Sequence, residues 1–300
     1  MTFTQLEIFV LVAELKGFTS AASRLSITQS AVSHAIKALE AELGVELINR
    51  HQSALELTAV GERLVLRARG ILGLAETMRQ EAGDARGMKR GTLRIGSFGP
   101  TSSVKLLPVI LDAYRQAYPG IEVHIDEGRD REVVQWLQDR RIDIGFVVLP
   151  DERFDTFPIA EDQMVALVPT HHALASKADV TLKELCPDPF IMTEAGSAHL
   201  VAHMFNAAKL VPNTRYHSTQ LLSTLSMVER GDGVTILAEL ALPAERGHEG
   251  YVKKPLRPRV KRSVGLALLD ERQASPATQA FIKIAQKLKR QGLLRFNADA

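Results

Sequence analysis

Gln29, Ser30, Ser33, His34 and Lys37 fall on one side of a short helical pattern. Amide, hydroxyl, imidazole and ammonium groups at this spacing suit recognition rather than bond breaking. A glutamine pairs bidentately with an adenine edge, and serines donate to bases or phosphates. Lysine and histidine meet phosphates. Opposite them Val32, Ile36, Leu39 and Leu43 recur at spacings of four, three and four, which predicts one buried stripe. Thr28 suits the N-cap and Gly44 the C-terminal stop, so the helix is expected over Gln29–Leu43. A shorter helix precedes it, with Ser20 as its expected cap. Ala21 and Ala22 are small enough for close crossing, and Leu25 and Ile27 are expected in a shared core. Two short helices joined by a tight turn suit end-first entry into a DNA major groove. The same polar positions also suit an ordinary solvated helix face, so the block around them decides.

That block runs through Phe9, Gly17-Phe18-Thr19, Ala21-Ala22, Leu25, Gln29-Ser30-Ala31-Val32-Ser33, Ile36, Leu39-Glu40, Leu43-Gly44-Val45, Leu47, Arg50, Leu57-Thr58 and Gly61. It resembles the winged helix-turn-helix of LysR-type transcriptional regulators, and the resemblance extends over essentially the whole chain. It implies DNA contact by Thr28, Gln29, Ser30, Ser33, His34 and Lys37. The wing residues Arg50, His51, Gln52 and Ser53 would join them. Two features depart from the family. His34 stands where arginine is usual, and His51-Gln52-Ser53-Ala54 replaces a basic, glycine-rich wing. Residues 1–58 hold four Lys/Arg against six Glu. Affinity must therefore come from placed donors, helix N-termini and dimerisation rather than a basic field.

Composition sets the outer bounds. Three hundred residues allow two or three domains. Hydrophobic content of 45%, with 24% charged residues, is ordinary for a soluble globular protein. The net charge of +2 argues neither for nor against nucleic acid. No signal-peptide pattern and no uncharged membrane-length run is seen, so a cytoplasmic protein is expected. The single cysteine, Cys186, forms no intramolecular disulfide and reads as a small half-buried residue. No Cys/His spacing suggests a metal, and no cofactor is expected.

Thr58 suits the cap of a long helix over Ala59–Asp84, roughly 40 Å at the standard helical rise. Leu64, Ala68, Ile71, Ala75, Met78 and Ala82 form a heptad seam on it. Dimerisation is the expected use, because so narrow a seam on so long a helix outruns a small winged domain. LysR-type proteins pair through this helix. Gly83, Gly87 and Gly91 mark the break that follows. The expected organisation is an all-α winged helix-turn-helix domain (1–58), a linker helix and hinge (59–90) and an α/β effector domain (91–300). Lobe I of the effector domain spans about 91–162 and 267–300, and lobe II about 163–266.

The effector half alternates strands and helices, which predicts parallel sheets with right-handed crossovers. Strands are expected at 92–96, 121–125, 142–148, 164–168, 189–193, 234–237 and 264–269. Helices are expected at 102–118, 132–140, 198–209, 219–230 and 276–289. The chain crosses between lobes near Val148–Asp162 and Leu266–Asp270, leaving a cleft. This layout is similar to the periplasmic-binding-protein-like domain of LysR-type regulators. Ligands of open α/β sheets bind beyond the carboxyl ends of strands. Two strand-to-helix corners face that position. The first holds Ser97, Phe98, Pro100, Thr101 and Ser102, and the second Thr193, Gly196 and Ser197. Val147, on the third strand, joins them. Hydroxyls beside helix N-termini suit a small anion, with Phe98 and Pro100 as apolar wall.

Three alternatives stand beside this reading. An enzyme lacks a nucleophile elbow, metal cluster or P-loop here. A solute-binding transport protein disagrees with the helix-turn-helix. A regulator of the same fold controlled by a protein partner or by oligomerisation, without a small molecule, stays open. The expected partners are promoter DNA, further copies in a dimer of dimers, and RNA polymerase.

Overall fold

The computed structural model describes residues 1–49, 55–84, 91–194, 198–243 and 250–294. The N-terminal body comprises α1 (Phe3–Leu15), α2 (Phe18–Leu25), α3 (Gln29–Leu43) and the antiparallel pair β1 (Ile48–Asn49) and β2 (Glu56–Leu57). A reciprocal cap starts α1: Thr2 Oγ1 accepts from the Gln5 N–H at 3.2 Å, and Gln5 Oε1 accepts from the Thr2 N–H at 2.8 Å. The N-cap of α2 is Gly17 in extended backbone, not Ser20, which lies inside the first turn. Helix α2 ends at Ser26, whose left-handed backbone (φ 56°) redirects the chain. The redirection turns Ile27 outward, 40% exposed, while Leu25 still packs on the core. Val32, Ile36 and Leu39 are fully buried, but Leu43 is exposed because the partners of α3 end one turn earlier.

Helix α4 (Ala59–Asp84) is locked to the helix-turn-helix at its start. The Thr58 N–H donates to the Leu47 carbonyl at 3.0 Å, and its hydroxyl donates to the Glu46 carbonyl at 2.7 Å. The same hydroxyl accepts from the Gly61 N–H at 2.9 Å. A Cβ on Gly61 would stand 2.1 Å from the Leu47 carbonyl oxygen, so only glycine permits this approach. Val65 and Ala68 complete the core under α1, and Leu64 packs beside them. The expected seam therefore divides. Leu64 and Ala68 are consumed within the chain, whereas Ile71 and Met78 are exposed, joined by Leu74. Ala75 is half-buried and Ala82 exposed.

The C-terminal half contains β3 (Gly91–Phe98), a π-helical segment (Thr101–Leu106), α5 (Leu107–Ala117), β4 (Ile121–Gly128), α6 (Asp130–Gln138) and β5 (Ile144–Leu149). Next come β6 (Asp155–Pro169), α7 (Leu182–Leu185), β7 (Pro189–Thr193), α8 (Ala198–Ala207), β8 (Asn213–Ser218), α9 (Leu221–Glu229) and β9 (Thr235–Ala238). Strand β10 (Tyr251–Leu268) and α10 (Pro276–Arg290) close the chain. Among the described residues one six-stranded sheet has the order β4-β3-β5-β10-β6-β9. Strands β3, β4 and β5 are mutually parallel, while β10 is antiparallel to β5 and β6, and β9 to β6. The sheet is thus mixed, not parallel. A second pair, β7-β8, is parallel and joins through the Phe190–Val234 bridge.

Two apolar cores flank this sheet. Lobe I gathers around Leu93, Phe98, Phe146, Leu266 and Phe281, and lobe II around Val165, Phe190, Phe205 and Leu225. They are joined by the long antiparallel ladder of β6 and β10, not by short crossovers. The charged and proline-rich run Lys253-Lys254-Pro255…Arg257-Pro258 hides the first half of β10 from a hydropathy reading. A register shift between Pro255 and Val260 accommodates it. The helix expected over 102–118 starts as a π-helix. Pro108, in the first turn of α5, has no N–H, so the α-helical ladder begins anew there.

Candidate DNA-binding surface and effector cleft

The polar side of α3 is open. Thr28, Gln29, Ser30, His34 and Lys37 are exposed and Ser33 is half-buried. Thr28 Oγ1 caps the helix by accepting from the Ala31 N–H at 3.2 Å, and lies 3.0 Å from Ser30 Oγ. These two hydroxyls hold the helix start, leaving Gln29, His34 and Lys37 as its free long side chains. Glu40, on the stripe side, accepts from the Leu47 and Ile48 N–H groups at 2.9 and 3.3 Å. That contact ties the end of α3 to the wing. Arg50, His51, Gln52 and Ser53 lie outside the described residues.

Between the lobes the first corner is built differently from expectation. Ser97, Thr101 and Ser102 are buried and already bonded within the protein. Ser97 Oγ donates to Ser102 Oγ at 3.2 Å and lies 2.8 Å from Ser103 Oγ. Ser102 Oγ accepts from the Phe98 N–H at 3.0 Å and donates to the Phe98 carbonyl. Phe98 and Val147 belong to the lobe I core and offer no open wall, because β3 and β5 are covered where they stand. Pro100 is half-buried. In the second corner Thr193 is buried, and Gly196 and Ser197 lie outside the described residues.

Sequence reasoning missed the charges that join the lobes. Arg262 of β10 and Asp162 of β6 are register partners, both nearly inaccessible, with Nη2 and Oδ2 2.6 Å apart. The same Nη2 donates to Thr101 Oγ1 at 2.8 Å. Asp162 Oδ1 accepts from the Gln163 and Leu240 N–H groups at 2.8 and 3.0 Å. Burial lowers the Arg262 pKa from its ordinary value, and Asp162 counters it. Beside this pair Glu239 meets Lys253 at 2.6 Å and the Gln163 amide at 2.5 Å. Burial also lowers the Lys105 pKa, with Asp162 and Glu239 opposing. At the mouth, Arg129 of lobe I meets Glu194 of lobe II at 2.8 Å. Hydropathy marks β6 and β10 only as strands. It carries no sign that residues a hundred positions apart pair face to face.

Helix α4 also touches lobe I. Gln80, nearly inaccessible, donates to the Thr92 carbonyl at 3.0 Å and accepts from the Ala277 N–H at 3.3 Å. Arg69 bridges Glu14 of α1 at 3.3 Å and the Asp139 carbonyl after α6 at 3.2 Å. No cluster of His, Cys, Asp and Glu that could hold a metal occurs among the described residues. No described helix is long and apolar enough to cross a membrane.

A winged helix-turn-helix, a long linker helix and a two-lobed α/β domain define the class of a DNA-binding transcriptional regulator with an appended ligand-binding-type domain. Residues 3–62 match the bacterial regulatory helix-turn-helix protein model of the lysR family, and residues 86–289 match the LysR substrate binding domain. The chain belongs to the LysR family of DNA-binding transcriptional regulators. It is 36% identical to the HTH-type regulator YvbU of Bacillus subtilis, covering 96% of this chain and 99% of that one. It is 34% identical to the probable regulator LrrA of Synechococcus elongatus, covering 96% and 97%. Among solved structures, a full-length OxyR variant from Pseudomonas aeruginosa superposes with a TM-score of 0.75 at 25% identity, covering 97% and 95%.

Proposed function

We propose that this regulator reads promoter DNA with α3 and is switched by a small anion held between its lobes. The observation that carries the reading is the physical chain from cleft to groove. The Arg262–Asp162–Thr101 network spans the lobes, Gln80 fixes lobe I to α4, and Thr58 and Gly61 fix α4 to the helix-turn-helix. Gln29, His34 and Lys37 supply base and phosphate contacts, with Thr28, Ser30 and Ser33 beside them. Arg50, His51, Gln52 and Ser53 of the wing are proposed to add to these. Thr101, Ser102 and Ser97 stand at the lobe I corner and Thr193 at the lobe II corner, and Gly196 and Ser197 are proposed as further effector contacts. The four described hydroxyls are buried, so lobe movement is required before a ligand reaches Thr101.

The working unit is proposed to be a dimer paired through α4, and two dimers a tetramer. Ile71, Leu74 and Met78 form an exposed apolar stripe. Ile71 and Leu74 also line a groove of about 540 Å³ with Arg63, Arg67 and Arg140, which a second copy's helix would cover. We place residues 1–58, 59–90 and 91–300 as the reading head, linker and sensor of a cytoplasmic protein. Contact with RNA polymerase would follow from the spacing of the paired heads. Footprinting on the promoter beside its own gene, with and without a panel of small carboxylates, tests the reading. Protection of an interrupted inverted repeat, altered by a carboxylate, is the expected result. A footprint that no metabolite changes, with no shift in melting temperature, favours the version controlled without a small molecule.

A further inference from the structure

Arg129 and Glu194 stand on opposite lobes with their backbones pinned. Arg129 precedes α6, and its N–H donates to Glu132 Oε2 at 2.7 Å. Glu194 follows β7, and its N–H donates to the Ser218 carbonyl at 2.7 Å. From these two fixed supports the side chains meet across the cleft. Arg129 Nη1 lies 2.8 Å from Glu194 Oε2, and Arg131 Nη2 approaches the same oxygen at 3.9 Å.

The corner hydroxyls of lobe I and the Arg262 guanidinium are not open to a solute. Ser97, Thr101 and Ser102 are enclosed and bonded within the protein. Arg262 is balanced by Asp162, and Asp130 of α6 acts on it as well. Arg129 and Glu194 differ, with side chains 37% and 31% exposed at the mouth, and Arg131 is more exposed still. These are the guanidiniums an anion reaches without disturbing the core. Their present counter-charge is a carboxylate supplied by the protein itself.

We infer that the Arg129–Glu194 bridge latches the cleft, and that a carboxylate effector binds by taking the place of the Glu194 carboxylate on Arg129 and Arg131. The inference rests on the effector-cleft reading above and names its ligand class. The present contact runs through one carboxylate oxygen, whereas a guanidinium can donate to both oxygens of a free carboxylate in forked geometry. Both side chains are about one-third exposed while the bridging Glu194 oxygen is shielded, so solvent screens the pair only in part, and a ligand displaces it by adding contacts of its own. The lobe I arginines then hold the ligand, and the link to lobe II at Glu194 is released. The exchange selects between two arrangements to the extent that the ligand prefers one of them.

The test uses the full-length protein, titrated by calorimetry with acetate, succinate and benzoate, as wild type, Glu194→Gln and Arg129→Gln. Removing the internal competitor should let Glu194→Gln bind at least one probe about tenfold more tightly. Arg129→Gln should lose that binding. Without any probe, spin labels across the cleft should report wider separation in Glu194→Gln than in wild type. Unchanged melting curves would show both variants folded. Equal or weaker probe affinity in Glu194→Gln overturns the displacement. If Thr101→Val still weakens the probe in that case, the cleft reading survives. No binding of any probe to wild type or Glu194→Gln, with label distances unchanged, overturns the latch and its ligand class. The metabolite screen then decides the cleft reading separately.

Discussion

Gln80 and Gly91 fit against each other at the join between linker helix and sensor: a Cβ on Gly91 would lie 2.9 Å from the Gln80 side-chain carbonyl carbon. Gln80 is held in that position by Thr92 and Ala277. A glutamine spanning three elements transmits displacement of lobe I to α4, because its partners on β3 and α10 are backbone groups that cannot swing away. Gln80→Leu leaves the Thr92 carbonyl and Ala277 N–H without this partner, at a cost of about 1–3 kcal/mol. Thermal unfolding should show that loss. Footprints should show weaker dependence on the effector than in wild type, with operator affinity retained.

On the DNA side, Gln29→Ala should relax base preference at one position per half-site, costing about 1–3 kcal/mol. Lys37→Ala should weaken all sequences alike and flatten the salt dependence. Both side chains are exposed, so folding is expected to be unaffected. Footprints and salt titrations indistinguishable from wild type in both variants would remove α3 as the reading element.

For the oligomer, Leu74→Glu or Met78→Glu should dissociate the dimer, because like charges would meet across a twofold contact. Both positions are exposed within the chain, 50% and 72%, so the monomer should stay folded. Ala68→Glu is the contrast. Ala68 lies in the N-terminal core, and its replacement should unfold that body instead. Sedimentation velocity with circular dichroism separates the two outcomes.

The buried pair on the crossing strands makes a sharper stability claim. Asp162→Ala leaves the Arg262 guanidinium enclosed without its counter-charge, a change that costs about 3–5 kcal/mol. The double variant Asp162→Ala with Arg262→Met should regain most of that loss, since no charge then remains buried. Denaturant unfolding of the two variants measures the difference directly.

Acid sensitivity has an identifiable contributor in lobe II. Lys177 and Thr181 hold the Glu184 carboxyl down at about 2. A carboxyl with a lowered folded pKa adds stability above its ordinary value of 4.5 and loses it as pH falls toward 2. Glu184→Gln should therefore melt slightly below wild type at neutral pH. The gap should close as the pH falls through that window, in melting curves recorded across it.

The helix-turn-helix was legible because its determinants are local. Thr28, the Val32-Ile36-Leu39 stripe and Gly44 delimit α3 within the distance over which caps and periodicity act. Thr58 likewise marks the start of α4. The expected α4 span and the strand at 189–193 coincide with the observed α4 and β7 for the same reason. What only the tertiary structure decided depends on partners far apart in the chain. Whether Ile71 or Ala68 is free depends on α1 folding over the first turns of α4. Whether the corner hydroxyls face a ligand or the protein depends on Arg262 arriving from 161 residues away to meet Thr101. The length of β10 depends on its ladder with β6, which overrides the prolines and charges that argue against a strand. Periodicity reports which face of an element is apolar. It carries no information about which other element covers that face, and the cleft of this regulator is made of such covering.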